Sequence, residues 1–155
     1  MGEQIEVESI YNFLQISNLI ATSGQPKEEQ FSAIKNSGYQ VVINLGLISS
    51  SGAISNEKQL VNSLGMEYIH IPVIWDKPEI TEFSQFVGVM QANSDKKVFV
   101  HCIANKRVSA FVYLFRYLCQ GMTQEDAEKD LHKIWIPNDI WQKFISEAIA
   151  KYSKP

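Results

Sequence analysis

Two rhythms of hydrophobic positions alternate along the chain. Short apolar runs rich in β-formers recur at Phe13, Leu14 and Ile16, at Leu19 to Ala21, at Val41 to Leu45, at Met66 to Val73 and at Val98 to Val100. These predict strands. Between them the spacing turns helical from about Pro26 to Ser37, with Phe31 and Ile34 inside and Gly38 as the stop, from Asn56 to Leu64, and from Ile80 to Ala92. Val108, Ala110, Phe111, Val112, Leu114, Phe115, Tyr117 and Leu118 are apolar on nearly every side, so this helix is expected to be buried all round, with Gly121 closing it. Thr123 then caps a run with Ala127, Leu131 and Ile134 inside and Asp126 at the reach-back position. After Pro137, with Asn138 as cap, Ile140, Trp141, Phe144, Ile145, Ala148 and Ile149 outline a last helix.

Strands alternating with helices imply a single α/β domain, residues 1–155 with a core at about 10–150, in which helices flank a mainly parallel central sheet. Ligands in such sheets bind at the carboxyl ends of the strands. The Ser- and Gly-rich segment Gly46 to Ser55 is expected to be an exposed loop near that end.

Composition narrows the classes. With 155 residues, 45% of them hydrophobic, the chain is long enough for a real core. A net charge of −3 argues against nucleic acid or an anionic membrane as the main partner. No apolar run approaches the ~20 residues that span a bilayer. The acidic start Met-Gly-Glu-Gln-Ile-Glu is unlike a basic signal peptide, and Glu6 stands where a lipidation site at Gly2 would need Ser or Thr. Two cysteines give no disulfide framework, and a cytoplasmic location is the expectation. His70, His101 and His132 share no ligand spacing, so no metal and no other cofactor is expected.

The chemistry concentrates in Lys-Lys-Val-Phe-Val-His-Cys-Ile-Ala-Asn-Lys-Arg-Val-Ser, residues 96–109. It places Cys102 and Arg107 on the turn between the last strand and the buried helix, where free backbone N–H groups and the helix dipole favour an anion. The same field favours a thiolate at Cys102, which makes it an attacking sulfur. The planar fork of Arg107 suits two oxygens of one phosphate. The turn Ile103, Ala104, Asn105, Lys106, Arg107 and Val108 is therefore the expected phosphate cradle, with Lys106 adding charge at its rim. Lacking glycine, it must place any positive φ on a residue such as Asn105. Cys119, Trp135 and Trp141 read as core.

His101-Cys102 through Arg107 resembles the phosphate-binding loop of cysteine-dependent protein phosphatases of the small dual-specificity type. Ser23-Gly24-Gln25-Pro26 opening a helix, Val42-Ile43-Asn44-Leu45 ending a strand and His70-Ile71-Pro72-Val73 ending another agree with it. Together they are similar to a bacterial group of dual-specificity-phosphatase-like domains of uncertain function, related to the phosphatase-like part of the beta-lactamase-hydrolase-like proteins. The resemblance implies a phosphatase acting on phosphate monoesters or another oxyanion through a thiophosphate on Cys102. It implies a general acid on the loop after the strand that ends at Val73, for which Asp76 is the candidate, with Glu79 and Glu82 as substitutes. It further implies that His101 holds the loop by hydrogen bonding and that Ser109, displaced by one position from the family's hydroxyl, eases departure of the sulfur.

Only Ile103, Ala104, Asn105 and Lys106 separate Cys102 from Arg107, one residue fewer than in the phosphatase pattern, and Val108 follows the arginine. One residue is worth ~3.3–3.6 Å of contour, comparable to the width of a phosphate. Four intervening residues are also the pattern of rhodanese-type sulfurtransferases, which carry a persulfide on the cysteine. The two helices that follow the cradle helix resemble the phosphatase arrangement more than the rhodanese one. A persulfide sulfurtransferase and a non-catalytic oxyanion-binding module remain the alternatives.

Overall fold

A computed structural model describes residues 6–50 and 52–152 of the chain. The N-terminal residues 1–5, on which the leader and lipidation expectations mostly rest, lie outside the described part. Five strands, β1 (Leu14–Gln15), β2 (Ile20–Ser23), β3 (Val41–Asn44), β4 (Glu67–His70) and β5 (Val98–His101), form one sheet in the order β1-β2-β5-β3-β4. Only β1 is antiparallel; the other pairings are parallel. Six helices cover the sheet: α1 (Phe31–Asn36), α2 (Glu57–Ser63), α3 (Ile80–Ala92), α4 (Lys106–Cys119), α5 (Gln124–Ile134) and α6 (Asp139–Tyr152). The α/β fold with a mainly parallel sheet is thus as the sequence pattern implies.

Two boundaries and two burials differ from the pattern. The helix expected from Pro26 begins as a single 3-10 turn at Glu28–Gln30, with the Gln30 side chain accepting from the Lys27 N–H, and becomes α-helical only at Phe31. β4 ends at His70, although Ile71 and Val73 still donate to the Asn44 and Leu45 carbonyls at 2.9 and 3.0 Å, and the nitrogen of Pro72 between them faces the open edge of the sheet, where no donor is needed. Cys119 is half-buried at the edge of the core, and Trp135 is likewise only partly covered.

The caps fall where the sequence puts them. Thr123 Oγ1 accepts from the Asp126 N–H, Asn138 Oδ1 accepts from the Trp141 N–H, and Gly121 reverses the chain at φ 72°.

Alternation along the strands divides the interior into two cores. Ile20, Val41, Ile43, Val98 and Val100 face α3 to α6, where Phe111 of α4 is ringed by Phe83, Phe86, Trp141 and Phe144 at 5.5–6.1 Å between ring centres. Ala21, Val42 and Phe99 face α1 and α2. The same alternation sends the residues at the end of β5 to opposite faces. His101 shares the face of Phe99 and meets Phe31 of α1, whereas Cys102 joins the core beneath α4.

Candidate active site

Among the described residues the buried polar ones, apart from Asn93, gather at one place: Thr22, Ser23, Asn44 and His101 towards the carboxyl ends of their strands, Asn105, Arg107 and Ser109 on the turn after β5 and the first turn of α4, and Glu57 at the start of α2. Burying polar groups is costly unless they are bonded, so such a cluster needs an explanation. The strand register supplies the first part. Ser23, His101, Asn44 and His70 stand in one row across the sheet, and Cys102 comes directly after it, 1% exposed, with its N–H donating to the Ser23 carbonyl at 3.4 Å.

The turn from Cys102 to Arg107 is held by its carbonyls. His101 Nδ1 lies 3.2 Å from the Cys102 oxygen, the Gln25 N–H donates to the Ile103 oxygen at 2.9 Å, and Asn12 Nδ2 donates to the Ala104 oxygen at 3.1 Å. In a trans peptide the carbonyl and the next N–H point opposite ways. Tying the Cys102 and Ile103 carbonyls to the surrounding frame therefore aims the N–H groups of Ile103 and Ala104 away from it, and neither donates to a protein acceptor among the described residues, whereas an antiparallel bridge between Gly24 and Ala104 turns the Asn105 end of the turn back to the frame. Asn105 closes the turn in the left-handed region at φ 65°, as expected for a cradle without glycine. Its side chain faces the frame, donating to the Asn12 carbonyl at 2.9 Å and to Thr22 Oγ1 at 3.0 Å. No side chain caps α4, so its first amides are also left for a ligand.

Arg107 is buried and donates through Nη1 to the Val73 carbonyl at 2.8 Å. Lys106 stands at the rim, its Nζ 5.9 Å from the Trp75 ring centre and 5.7 Å from that of Trp135. Val108 is fully buried in the core. Ser109 has both capacities of its hydroxyl in use, donating to the Lys106 carbonyl at 2.8 Å and accepting from Trp135 Nε1 at 3.0 Å.

The acid candidates are placed differently. Asp76 is exposed and lines an open groove against α6 with Lys77, Ile140, Lys143 and Glu147; no residue of the 102–107 turn lines that groove. Trp75, one residue earlier, packs on Trp135 and Trp141 at 5.3 and 6.0 Å, and its carbonyl accepts from Trp141 Nε1 at 2.7 Å. Glu79 and Glu82 form the capping box of α3, the Glu79 N–H donating to Glu82 Oε1 at 3.0 Å, and burial pushes the Glu82 carboxyl above its ordinary range.

Glu57 was not legible as a site residue. It opens α2, 3% exposed, with Oε2 2.6 Å from His101 Nε2 and Oε1 accepting from Gln25 Nε2 at 2.9 Å. Nothing in the sequence separates it from an ordinary first-turn glutamate. Gly24 was visible as part of a motif, and its role is steric: a Cβ there would sit 2.6 Å from the Ile103 oxygen.

The family model described as "DSP-PTPase phosphatase fused to NAD+ Kinase" matches residues 10–143. The chain belongs to this family. A DUF442 protein of Shewanella putrefaciens CN-32, assigned provisionally as a phosphatase, is 35% identical with a TM-score of 0.84, covering 94% of this chain and 96% of its own. Two more distant structures share the fold of this DSP-PTPase family member. P. aeruginosa TpbA in complex with phosphotyrosine is 13% identical with a TM-score of 0.71, over 99% of this chain and 96% of its own. The catalytic domain of the PP-IP phosphatase SIW14 from S. cerevisiae, in complex with citrate, is 14% identical with a TM-score of 0.72, over 93% and 94%. A comparison with curated proteins gave no match.

Proposed function

We propose that the chain is a cysteine-dependent phosphatase that hydrolyses phosphate monoesters. Cys102 attacks phosphorus as a thiolate in line with the ester oxygen, forming an S–P bond as the O–P bond breaks. Asp76 gives its proton to the departing oxygen, and water then attacks the thiophosphate, releasing inorganic phosphate and restoring the thiolate. The N–H groups of the turn and the free edge of the Arg107 guanidinium bind the equatorial oxygens, where charge accumulates in the transition state. The reaction as written uses no cofactor. A nucleophilic thiol is kept reduced in the cytoplasm, which is where we place the protein.

The observation that carries this reading is the set of three outward-tied carbonyls, Cys102, Ile103 and Ala104, beside a buried arginine. The ligands in the names of its fold relatives, phosphotyrosine and citrate, are oxyanions and support the same class. The sulfurtransferase reading of the short turn finds no support in these relatives. The test is hydrolysis of aryl phosphates, with NADP+ added to the panel because the family name joins such domains to a kinase of NAD+. Phosphate release that vanishes in Cys102→Ser supports the proposal. Sulfur transfer from thiosulfate to cyanide without phosphate release overturns it in favour of the sulfurtransferase, and binding of phosphate with neither activity leaves only the oxyanion-binding module.

A further inference from the structure

We infer that Glu57 is a positioning residue for the nucleophile turn: one buried carboxylate joins the two tethers, His101 and Gln25, that aim the first two amides of the cradle. The inference rests on the phosphatase reading, but it is argued from atoms that touch no substrate.

A first-turn glutamate ordinarily lies in water. Glu57 does not; its carboxylate is packed against Gln25 from the segment after β2, His101 from β5 and Tyr68 from β4, with Lys58 as its chain neighbour and Lys58, Tyr68 and His70 lining the cleft beside it. An uncompensated buried carboxylate would be strongly destabilising, so the bonds to Gln25 and His101 are what keep it there.

The two ring nitrogens of His101 each face an acceptor, the Glu57 carboxyl at 2.6 Å and the Cys102 carbonyl at 3.2 Å. A neutral imidazole has a single N–H and would turn a lone pair toward one of them. The contacts are satisfied when the pair holds two protons, one between Nε2 and the carboxyl and one on Nδ1. Whether the shared proton sits on nitrogen or oxygen, Nδ1–H then donates to the Cys102 carbonyl.

The consequence runs through the peptide planes. Holding the Cys102 oxygen outward directs the Ile103 N–H inward, and Gln25, whose side chain is held by Glu57 and whose own N–H holds the Ile103 oxygen, does the same for the Ala104 N–H. Removing the carboxylate removes the acceptor that fixes both.

The test reads the histidine and the rate separately. In uniformly 15N-labelled resting protein, with the three histidines told apart by His70→Gln and His132→Gln, the inference expects His101 to carry an N–H proton on Nδ1, on whichever side of the Nε2–Oε2 contact the shared proton lies. In Glu57→Leu, which offers no partner to Nε2 or to Gln25, the Nδ1 proton is expected to lose its preference and kcat for aryl phosphates to fall by about 10- to 100-fold, less than the ~10²–10³ of an oxyanion donor deleted outright; Glu57→Gln, whose amide can still meet both tethers, should restore part of both. A bare Nδ1 in the wild type overturns the inference even if Glu57→Leu does not fold. So does a Glu57→Leu protein that folds with wild-type kcat. An inactive wild type with the Nδ1–H signal present would count against the phosphatase reading alone.

Discussion

Arg107 reaches the Val73 carbonyl through Nη1 at 2.8 Å, which fastens the proposed phosphate clamp to the segment that continues into Trp75 and Asp76. Val73 is itself pinned, its N–H donating to the Leu45 carbonyl at 3.0 Å. One corner of the guanidinium is thus spent on the fold, and the remaining N–H groups are available to an oxyanion. On the proposed mechanism the arginine is therefore structural and chemical at once, and a residue with the same charge but another shape must fail at one of the two tasks.

Arg107→Lys tests that conflict. A lysine has no fork, so it either satisfies Val73 or meets the anion as a point charge. The expected result is a loss of aryl phosphatase activity of about 10²–10³-fold or more, the scale of a lost oxyanion donor. Urea unfolding should show a cost of about 1–3 kcal/mol if the Val73 carbonyl is left without its donor. Full stability together with full activity would rule out the dual role.

Much of this architecture was open to reading in the sequence because the signals were local. The apolar runs of β2 to β5, the Asn56–Leu64 and Ile80–Ala92 patterns, Thr123, Asn138 and Gly121 each act within a few residues of themselves, and the structure follows them. The turn around Cys102 was legible for the same reason. What stayed hidden is set by distance along the chain. Glu57 meets His101 across 44 residues and Asn12 holds the Ala104 carbonyl across 92, and neither contact leaves a trace in residue type or spacing. The end of β4 was placed three residues late because Ile71 and Val73, beyond His70, are still buried and still donate to the Asn44 and Leu45 carbonyls as strand residues do.

Gly24 permits the closest approach in the site. A Cβ at this position would lie 2.6 Å from both the Ile103 oxygen and Tyr11 Cδ2, well inside contact distance. The tyrosine ring can rotate, but the Ile103 oxygen is held by the Gln25 N–H and belongs to the cradle. Gly24→Ala should therefore cost about 1–3 kcal/mol by overpacking and lower kcat by displacing the turn. Denaturant unfolding and steady-state kinetics check the two effects, and an active, fully stable variant would show that the turn tolerates the shift.

Tyr68 carries a prediction about alkaline pH. Its hydroxyl accepts from Asn44 Nδ2 at 3.0 Å, and burial pushes its pKa up from 10.0 to about 12. A phenol with a raised folded-state pKa holds its proton more tightly when folded. The stability this represents is fully present below pH 10 and is lost as the pH climbs toward 12. Tyr68→Phe should be less stable than the wild type at neutral pH by about 0.5–1.5 kcal/mol, the worth of one hydrogen bond. The gap should narrow or reverse above pH 10, because the variant has no proton to lose. Urea unfolding across this range decides it; a gap that widens with pH would contradict the assignment.

The general acid is the step whose residue stands furthest from the turn in its observed surroundings. Asp76 lines the groove against α6, while Glu79 and Glu82 are bound to each other's backbone in the cap of α3. Trp75 couples the Asp76 segment to the site through Trp135 and the Lys106 ammonium above both rings. If Asp76 protonates the leaving oxygen, Asp76→Asn must hurt most where that oxygen is a poor leaving group. Alkyl or phenyl phosphates should lose about 10²–10⁴-fold, the usual range for general acid help, whereas p-nitrophenyl phosphate, whose leaving group hardly needs a proton, should lose far less. Activity that depends on a protonated donor falls as the pH rises, so if Asp76 is that donor the basic limb of the pH profile should flatten in the variant. An equal loss across leaving groups, with the basic limb intact, would assign Asp76 a structural role and move the proton donor elsewhere on the rim.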